Sequence, residues 1–194
     1  MKSSTKILVF GASSSKIAKT FADDAYLLGQ LIAQKGWACI NGAGCDGLMR
    51  AVSDGVLDCG GEAIGVIPQF MIDNKWNYER LTVTIATTDM HQRKEKMAAL
   101  ADAIVALPGG CGTWEELFEA FTWRQLNIIS KPIVLLNTNS YYDHLVSMIK
   151  HSIAEGFMKP SHAQLLTVAK TPQEAIAAIK QEFEHGVTHA ESKY

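Results

Sequence analysis

Residues 107–126 read LPGGCGTWEELFEAFTWRQL, a glycine-rich turn followed by apolar residues at helical spacing. The apolar run before it, residues 103–107, is typical of a buried parallel strand. Gly109, Gly110 and Gly112 therefore lie at a strand-to-helix turn. The first N–H groups of a helix lack partners and carry partial positive charge, and glycine lets a ligand approach the backbone closely. The turn is a candidate anion-binding site.

Two acidic residues, Glu115 and Glu116, stand just inside the predicted helix. Thr113 and Glu116 have the spacing of a capping box, in which the glutamate folds back onto the first amide of the helix. Alternatively, Glu115 or Glu116 faces a ligand held at the same helix end. A carboxylate is unfavourable beside a phosphate ester, so it would then serve a less negative part of the ligand, such as a ribose.

A second candidate anion turn follows the first apolar run of the chain. Residues 7–10 predict a strand that ends in GASSS, residues 11–15, before a helix predicted over about residues 18–34. Ser13 and Ser14 place hydroxyl groups at this strand end; an ordinary serine turn and helix cap is the alternative. The GxGxxG pattern and following acidic residue of dinucleotide-binding folds are missing, so no NAD(P) site is expected.

A third strand-to-helix turn contains Gly42, Gly44 and Gly47. It follows a strand predicted over residues 37–41. Ala43 stands between two of the glycines, and its methyl group blocks close approach only if this position needs a positive φ. Three turns of this kind at one edge of a sheet are hard to explain without a phosphate.

Strands and helices alternate along the chain, which predicts a three-layer α/β fold with an open parallel sheet, helices on both faces and a Rossmann-like ligand crevice. The other predicted strands are residues 62–67, 81–86, 132–136 and 165–169, and the other helices are residues 90–101, 141–154 and one that starts at Thr171 and Pro172. Residues 69–78 have no clear periodicity and are predicted to form a loop over the site. The 194 residues fit one domain, with a polar tail from about residue 185.

Arg93 is the most informative residue outside the glycine turns. The predicted helix of residues 90–101, with its N-cap in residues 87–89, places Arg93 on the same face as Met90 and Met97. A charge removed from water needs a partner of opposite charge. That partner is either a carboxylate in a structural salt bridge, with a snorkelling arginine stem, or a group in the glycine-lined crevice.

Composition sets limits on the function classes. A hydrophobic fraction of 47% and a net charge of −2 are ordinary for a globular chain and give no basis for binding nucleic acid or a membrane surface. The first apolar run is too short for a signal peptide, so a cytoplasmic location is expected. The four cysteines show no zinc or disulfide spacing, and no metal is expected. Cys111 has no nearby histidine and is not expected to be a nucleophile.

The order of several motifs resembles the Lonely Guy (LOG) family of cytokinin-activating phosphoribohydrolases. The glycine turn of residues 108–116 matches the family pattern PGGxGTxxE. The other similar segments are residues 42–49 (GGGxxGLM in the family), 65–68 (GViP), 90–94 (MxxRK) and 122–126 (TWxQL). Ala43 and Arg50 depart from the residues usual in the family, which affects expectations about the substrate more than about the fold.

The resemblance implies hydrolysis of the N-glycosidic bond of an adenosine 5′-monophosphate, often N6-modified, to free base and ribose 5-phosphate. In the family, the arginine of MxxRK and the last glutamate of PGGxGTxxE form the catalytic pair, here Arg93 and Glu116. Glu115 is an alternative for the acid. The residues that the resemblance places against the substrate are Ser13, Ser14, Gly42, Gly44, Gly47, Met90, Lys94, Gly109, Gly110, Gly112, Thr113 and Glu115. No cofactor or metal is expected, and the partner is a nucleoside monophosphate.

The resemblance also implies a homodimer, and the predicted helix after the turn carries aromatic residues around more than one face, which favours self-association. A nucleotide carrier or sensor that does not cleave its ligand is the alternative function, because the wider superfamily contains a molybdenum-cofactor carrier. The presence of both Arg93 and Glu116 favours the enzyme. A lysine decarboxylase would need a lysine that binds pyridoxal phosphate, and no lysine stands in such a context.

Overall fold

The structure, a computed structural model, describes residues 4–187, so the predicted polar tail lies mostly outside the described residues. Seven strands alternate with seven α-helices. The strands are β1 (Lys6–Phe10), β2 (Ala38–Asn41), β3 (Ala63–Pro68), β4 (Val83–Thr87), β5 (Ala103–Ala106), β6 (Ile133–Leu136) and β7 (Thr167–Ala169). The helices are α1 (Lys19–Gln34), α2 (Gly47–Asp58), α3 (Gln69–Asp73), α4 (Met90–Leu100), α5 (Cys111–Gln125), α6 (Asp143–Ala154) and α7 (Pro172–His185).

All seven strands pair in parallel, in the order β4-β3-β2-β1-β5-β6-β7. The chain builds the sheet outward from β1 in one direction and then returns to β5 on the other side of β1. The strand order therefore reverses between β1 and β5, and the loops at their carboxyl ends open a crevice, where ligands bind in open α/β sheets.

Apolar side chains cover both faces of the sheet, as expected for parallel strands. One face packs against α1, α2 and α7, where Leu28, Val52 and Ile176 are buried. The opposite face packs against α4 and α5, where Met97 and Leu117 are buried. The three-layer α/β prediction is confirmed.

Helices α1 and α2 touch through two glycines. A β-carbon on Gly29 would lie 2.1 Å from the carbonyl oxygen of Val52, and one on Gly55 would lie 2.0 Å from the carbonyl oxygen of Tyr26. No larger residue fits at this crossing. The contact fixes α2, and with it the glycine turn at its N-terminus, against α1.

Two local predictions were wrong. Residues 69–78 were predicted to be a loop, but Gln69–Asp73 forms α3 directly after β3. The helix is too short for its periodicity to be visible in the sequence. Helix α5 was predicted to begin at Thr113, but it begins at Cys111. Glycine is tolerated in the first turn of a helix because that turn needs no intrahelical donor.

Candidate functional site

The three glycine turns predicted from the sequence meet at one edge of the sheet. Ala12, after β1, donates its N–H to the carbonyl of Pro108, after β5, at 3.1 Å. Leu48, in the first turn of α2, donates to the carbonyl of Ala12 at 2.8 Å. Gly47 has φ +63°, and a β-carbon there would lie 2.4 Å from the Ala12 oxygen. The turns after β1, β2 and β5 thus form one hydrogen-bonded unit.

The turn after β5 differs from its predicted geometry at the helix start. Gly110 is the N-cap residue of α5, and no side chain caps this end. Thr113 is the third residue of the helix, is 4% exposed and packs against Gly109. The predicted capping box of Thr113 and Glu116 is therefore wrong, because Glu116 lies one turn too far into the helix to reach the cap amide. Its carboxyl group is free to face the crevice.

The backbone of this turn is open on one side. A β-carbon on Gly110 or Gly112 would have no atom within 4 Å, and neither residue has a positive φ. In the described part of the chain, the N–H groups from Gly109 through Gly112 have no hydrogen-bond acceptor. Unpartnered N–H groups at the positive end of a 15-residue helix favour an anion.

Arg93 lies beside the turn after β2 and is 6% exposed. Helix α4 is capped as predicted by Asp89, whose carboxylate accepts from the N–H groups of His91 and Gln92. The guanidinium of Arg93 donates from Nε to the carbonyl of Val66 at 3.0 Å and from Nη2 to the carbonyl of Gly42 at 2.9 Å. These bonds hold the side chain at the carboxyl ends of β2 and β3.

Glu116 completes a buried pair with Arg93. Its Oε1 lies 3.9 Å from Nη1 of Arg93, and both side chains are largely buried. Burial raises the pKa of Glu116 to about 7, although the positive charge of Arg93 acts in the opposite direction. Desolvation of the carboxylate is the larger of the two effects, so the positive charge of Arg93 does not hold this pKa at its ordinary value.

The neighbouring acid, Glu115, is paired with a lysine and not with Arg93. Glu115 has a side chain that is 55% exposed and is paired with Lys94. Glu119 is the second partner of Lys94, at 3.2 Å. Of the two acids that the sequence left open, only Glu116 lies beside Arg93, whereas Glu115 belongs to a lysine-centred ion pair. Lys94, predicted to contact the substrate, is held by these two carboxylates.

Two methionines border the arginine. Met90 was predicted as a substrate contact, is 40% exposed, and its sulfur lies 3.7 Å from Nη1 of Arg93. Met49 was not among the predicted site residues. Its side chain covers Gly42 and Gly44, since a β-carbon on Gly44 would lie 2.4 Å from the Met49 methyl group. Met49 belongs to the motif of residues 42–49, but the site prediction included only the glycines of that motif.

Ser13 and Ser14 are exposed on the turn after β1. The hydroxyl of Ser14 accepts a hydrogen bond from the N–H of Lys16 at 3.2 Å, which is the predicted serine turn. Neither serine caps α1, because the N-cap residue of that helix is Ala18. Their role toward a ligand stays a prediction.

Two residues depart from the family pattern, and the structure shows the surroundings of each. Ala43 is buried with φ +60°, so its methyl group occupies a strained position; its N–H donates to Asn41 Oδ1 at 2.8 Å. Arg50 forms an ion pair with Asp54 at 3.4 Å, and its guanidinium carbon lies 5.4 Å from the ring centre of Tyr78.

The described residues hold no group of three or more His, Cys, Asp or Glu side chains arranged to bind a metal ion. Nor does any described helix combine the length and apolarity needed to cross a membrane. The geometry defines a class of protein: a parallel α/β fold with a glycine turn suited to an anion at its switch point, and with a buried acid and arginine beside that turn.

Comparison with known proteins narrows that class. A family model described as "Possible lysine decarboxylase" matches residues 49–179. The cytokinin riboside 5′-monophosphate phosphoribohydrolase LOG3 of Arabidopsis thaliana is 39% identical over 176 residues, which cover 91% of this chain and 82% of the relative. Its counterpart LOG5 is 37% identical over 175 residues, which cover 90% and 77%. The chain belongs to the LOG family of phosphoribohydrolases.

The same fold is found in a solved structure of a protein with a different function. The molybdenum cofactor carrier protein of Chlamydomonas reinhardtii superposes with a TM-score of 0.73 and 27% identity, over 93% of this chain and 99% of that chain. The fold and family predicted from the sequence are thus confirmed, and the same fold also occurs in a carrier.

Proposed function

We propose that the protein hydrolyses the N-glycosidic bond of adenosine 5′-monophosphates, including N6-modified ones, to release the free base and ribose 5-phosphate. The observation that carries this proposal is the buried pair of Glu116 and Arg93, one helical turn from an open anion-binding turn. A protein that only binds a nucleotide does not need a desolvated carboxylate beside the sugar.

The 5′-phosphate is held by the turn after β5. The N–H groups from Gly109 through Gly112 supply donors, and the missing side chains at Gly110 and Gly112 leave room for the phosphate oxygens. Ser13 and Ser14, on the adjoining turn, extend the same surface. This arrangement places the ribose toward Glu116 and keeps the acid away from the phosphate.

Cleavage builds positive charge on the ribose C1′ and ring oxygen as the base departs, as in other glycoside hydrolyses. The Glu116 carboxylate stabilises that charge and accepts a proton from the attacking water, whose oxygen forms the new bond to C1′. The base leaves with the electron pair of the broken C–N bond and takes up one proton, so that water overall supplies OH to the ribose and H to the base while Glu116 returns to the carboxylate. Arg93, fixed by two carbonyl groups, orients Glu116 and offsets the negative charge in the site.

The raised pKa of Glu116 suits this role. A general base works best when its pKa lies near the working pH, and burial raises the pKa of Glu116 to about 7. An exposed glutamate would be a weaker base by more than two pKa units. Glu115 does not share the buried position of Glu116, since its side chain is 55% exposed and is paired with Lys94.

A carrier function is the alternative, favoured by the structural likeness to the molybdenum cofactor carrier protein of Chlamydomonas reinhardtii and to the molybdenum cofactor binding protein of Rippkaea orientalis. The decarboxylase description of the family model fits the residues poorly. Burial alone would lower the pKa of Lys94, but its hydrogen bonds to Glu115 and Glu119 outweigh burial and raise it. A protonated, ion-paired lysine is a poor partner for an aldehyde cofactor.

We also propose that two copies associate through the outer face of α4 and α5. Trp114 and Phe118 are 43% and 45% exposed on α5, whereas Phe121 is buried in the core. A groove of about 530 Å³ between the two helices has Trp123 and Ile128 in its wall. Exposed apolar patches of this kind mark interfaces.

Sedimentation equilibrium should give twice the chain mass for the parent and the mass of one chain for Phe118→Arg. A monomeric parent would contradict the proposed dimer.

Product analysis tests the activity. The parent should release adenine from AMP, and the N6-isopentenyl base from the corresponding nucleotide, together with equimolar ribose 5-phosphate. Arg93→Ala should lose at least about 100-fold in kcat/KM, because the acid loses its orienting partner. Tight binding of both nucleotides without any base release by the parent would instead support the carrier function.

A further inference from the structure

The carbonyl groups of the turn after β5 are all occupied, three of them by donors from other segments of the chain and one by the first backbone bond of α5. Each carbonyl from residue 107 to residue 110 accepts one hydrogen bond. The bonds run from Tyr142 Oη to Leu107 O (2.7 Å), from Ala12 N to Pro108 O (3.1 Å), from Tyr141 Oη to Gly109 O, and from Trp114 N to Gly110 O (3.0 Å). Two of the four donors are adjacent tyrosine hydroxyls.

The direction of a carbonyl fixes the direction of the next N–H group. The carbonyl of Gly109 and the N–H of Gly110 belong to one planar trans peptide and point in opposite directions. When Tyr141 binds that carbonyl, the N–H of Gly110 must point away from Tyr141. A peptide rotation at this position would instead present a carbonyl oxygen to the anion, which repels it.

The tyrosines are themselves held by a strained loop. Asn139 and Ser140 are consecutive residues with φ +51° and +58°, a conformation that costs energy for residues with a β-carbon. Asn137 stabilises the loop, since its Oδ1 accepts from the N–H of Tyr142 at 2.6 Å and its Nδ2 donates to Asp143 at 2.7 Å. Such strain persists only where surrounding contacts impose it.

The same loop is fastened to α1, the helix that follows the first glycine turn. Asn139 donates to the Thr20 hydroxyl at 3.0 Å, and the rings of Phe21 and Tyr141 pack edge to face with centroids 6.3 Å apart. Tyr142 is 1% exposed and packs edge to face on Tyr141. The two hydroxyls are therefore fixed in place relative to the turns that meet at the site.

We propose that Tyr141 is a positioning residue for substrate binding: its hydroxyl holds the carbonyl group of Gly109 so that the N–H of Gly110 faces the 5′-phosphate. Tyr142 supports Tyr141 by packing on its ring and by binding the carbonyl of Leu107, whose peptide with Pro108 has no N–H. This inference rests on the proposed function, because it assigns the phosphate to that turn. Neither tyrosine touches the reacting atoms, so their effect falls on binding of the phosphate and not on bond cleavage.

The test compares Tyr141→Phe with the parent. The variant keeps the ring and removes only the hydroxyl. For AMP, KM should rise about tenfold with kcat within twofold, since the interaction is equal in ground and transition states. The inhibition constant of ribose 5-phosphate should rise about tenfold, and that of adenosine, which lacks the phosphate, should not change. Tyr142→Phe should act in the same direction but also lower the melting temperature, because Tyr142 is fully buried.

The matched control is Tyr26→Phe, which removes a hydroxyl bonded to Asp58 at 3.0 Å on the exposed surface of α1 and α2. It should leave all constants unchanged. Equal inhibition constants for ribose 5-phosphate in Tyr141→Phe and the parent would overturn the inference, as would equal rises for ribose 5-phosphate and adenosine, which indicate a general structural effect. If the parent cleaves no nucleotide, the proposed function fails, and calorimetric binding of ribose 5-phosphate to the parent and Tyr141→Phe still decides the inference.

Discussion

The glycine turns after β2 and after β5 look alike in sequence but are glycine-rich for opposite reasons. After β2, the protein itself fills the space, because β-carbons on Gly42, Gly44 or Gly47 would collide with Arg93, Met49 or the backbone. After β5, β-carbons on Gly110 and Gly112 would meet no protein atom. The turn after β2 is shaped by packing, whereas the turn after β5 is open to solvent, which leaves the space that the proposed phosphate site requires.

The same comparison shows how the two turns hold the two residues of the proposed catalytic pair. Arg93 is bound to the packed turn through the carbonyl of Gly42, and Glu116 stands on the helix that starts at the open turn. The packed turn supplies a rigid support, and the open turn supplies the proposed ligand site. A precise placement of reacting groups requires such a rigid support.

The largest expected effect on stability comes from a substitution in the packed turn after β2. Gly47→Ala should lower the free energy of unfolding by about 3 kcal/mol, because a β-carbon is strained at φ +63° and collides with the carbonyl of Ala12. Gly60→Ala is the matched control, since Gly60 has φ +71° but no atom within 4 Å, and it should lose only about 1 kcal/mol. Urea denaturation measures both. Equal losses would show that the turn is not tightly packed.

A substitution in the open turn after β5 should change KM and leave stability unchanged or slightly higher. Gly112→Ala should keep or slightly raise the melting temperature, because alanine favours the helix and its methyl group meets no protein atom. Its KM for AMP should rise at least about tenfold, since the methyl group occupies space used by the phosphate. Calorimetry and steady-state kinetics on the same sample test this. An unchanged KM together with an unchanged fold would remove the phosphate from this turn.

The smallest effect concerns pH. Burial raises the pKa of Glu116 to about 7, and the proposed base must be ionised, so activity should increase as the pH rises through 7. Between pH 6.5 and 8.5, where the AMP phosphate is already mostly doubly ionised, kcat/KM should rise about fourfold. Glu115→Gln should show the same profile. A flat profile above pH 6.5 would place the pKa of the acid near its ordinary value.

Much of this arrangement could be predicted from local sequence. Apolar runs ending in glycine turns indicated β1, β2 and β5, and hence a crevice where the turns meet; Asp89 and Thr171 were recognised as helix caps and accept the expected backbone N–H groups. Such features depend on neighbouring residues, whose spacing is visible in the chain.

Features that depend on distant residues were not predictable in this way. The start of α5 at Cys111 depends on how the helix packs, and local spacing at Thr113 and Glu116 suggested a cap that does not form. The raised pKa of Glu116 comes from burial, which spacing does not report. Tyr141 reaches Gly109 from 32 residues away, so nothing near the glycine turn indicated it.

The most direct measurement of the central claim is the rate of adenine release from AMP by the two variants Glu115→Gln and Glu116→Gln. The acids are adjacent in sequence and the substitutions are chemically identical, so only their positions in the fold differ. We predict that Glu116→Gln loses about 1,000-fold or more in kcat while Glu115→Gln stays within about fivefold of the parent. Comparable losses in both variants, or a larger loss in Glu115→Gln, would contradict the account.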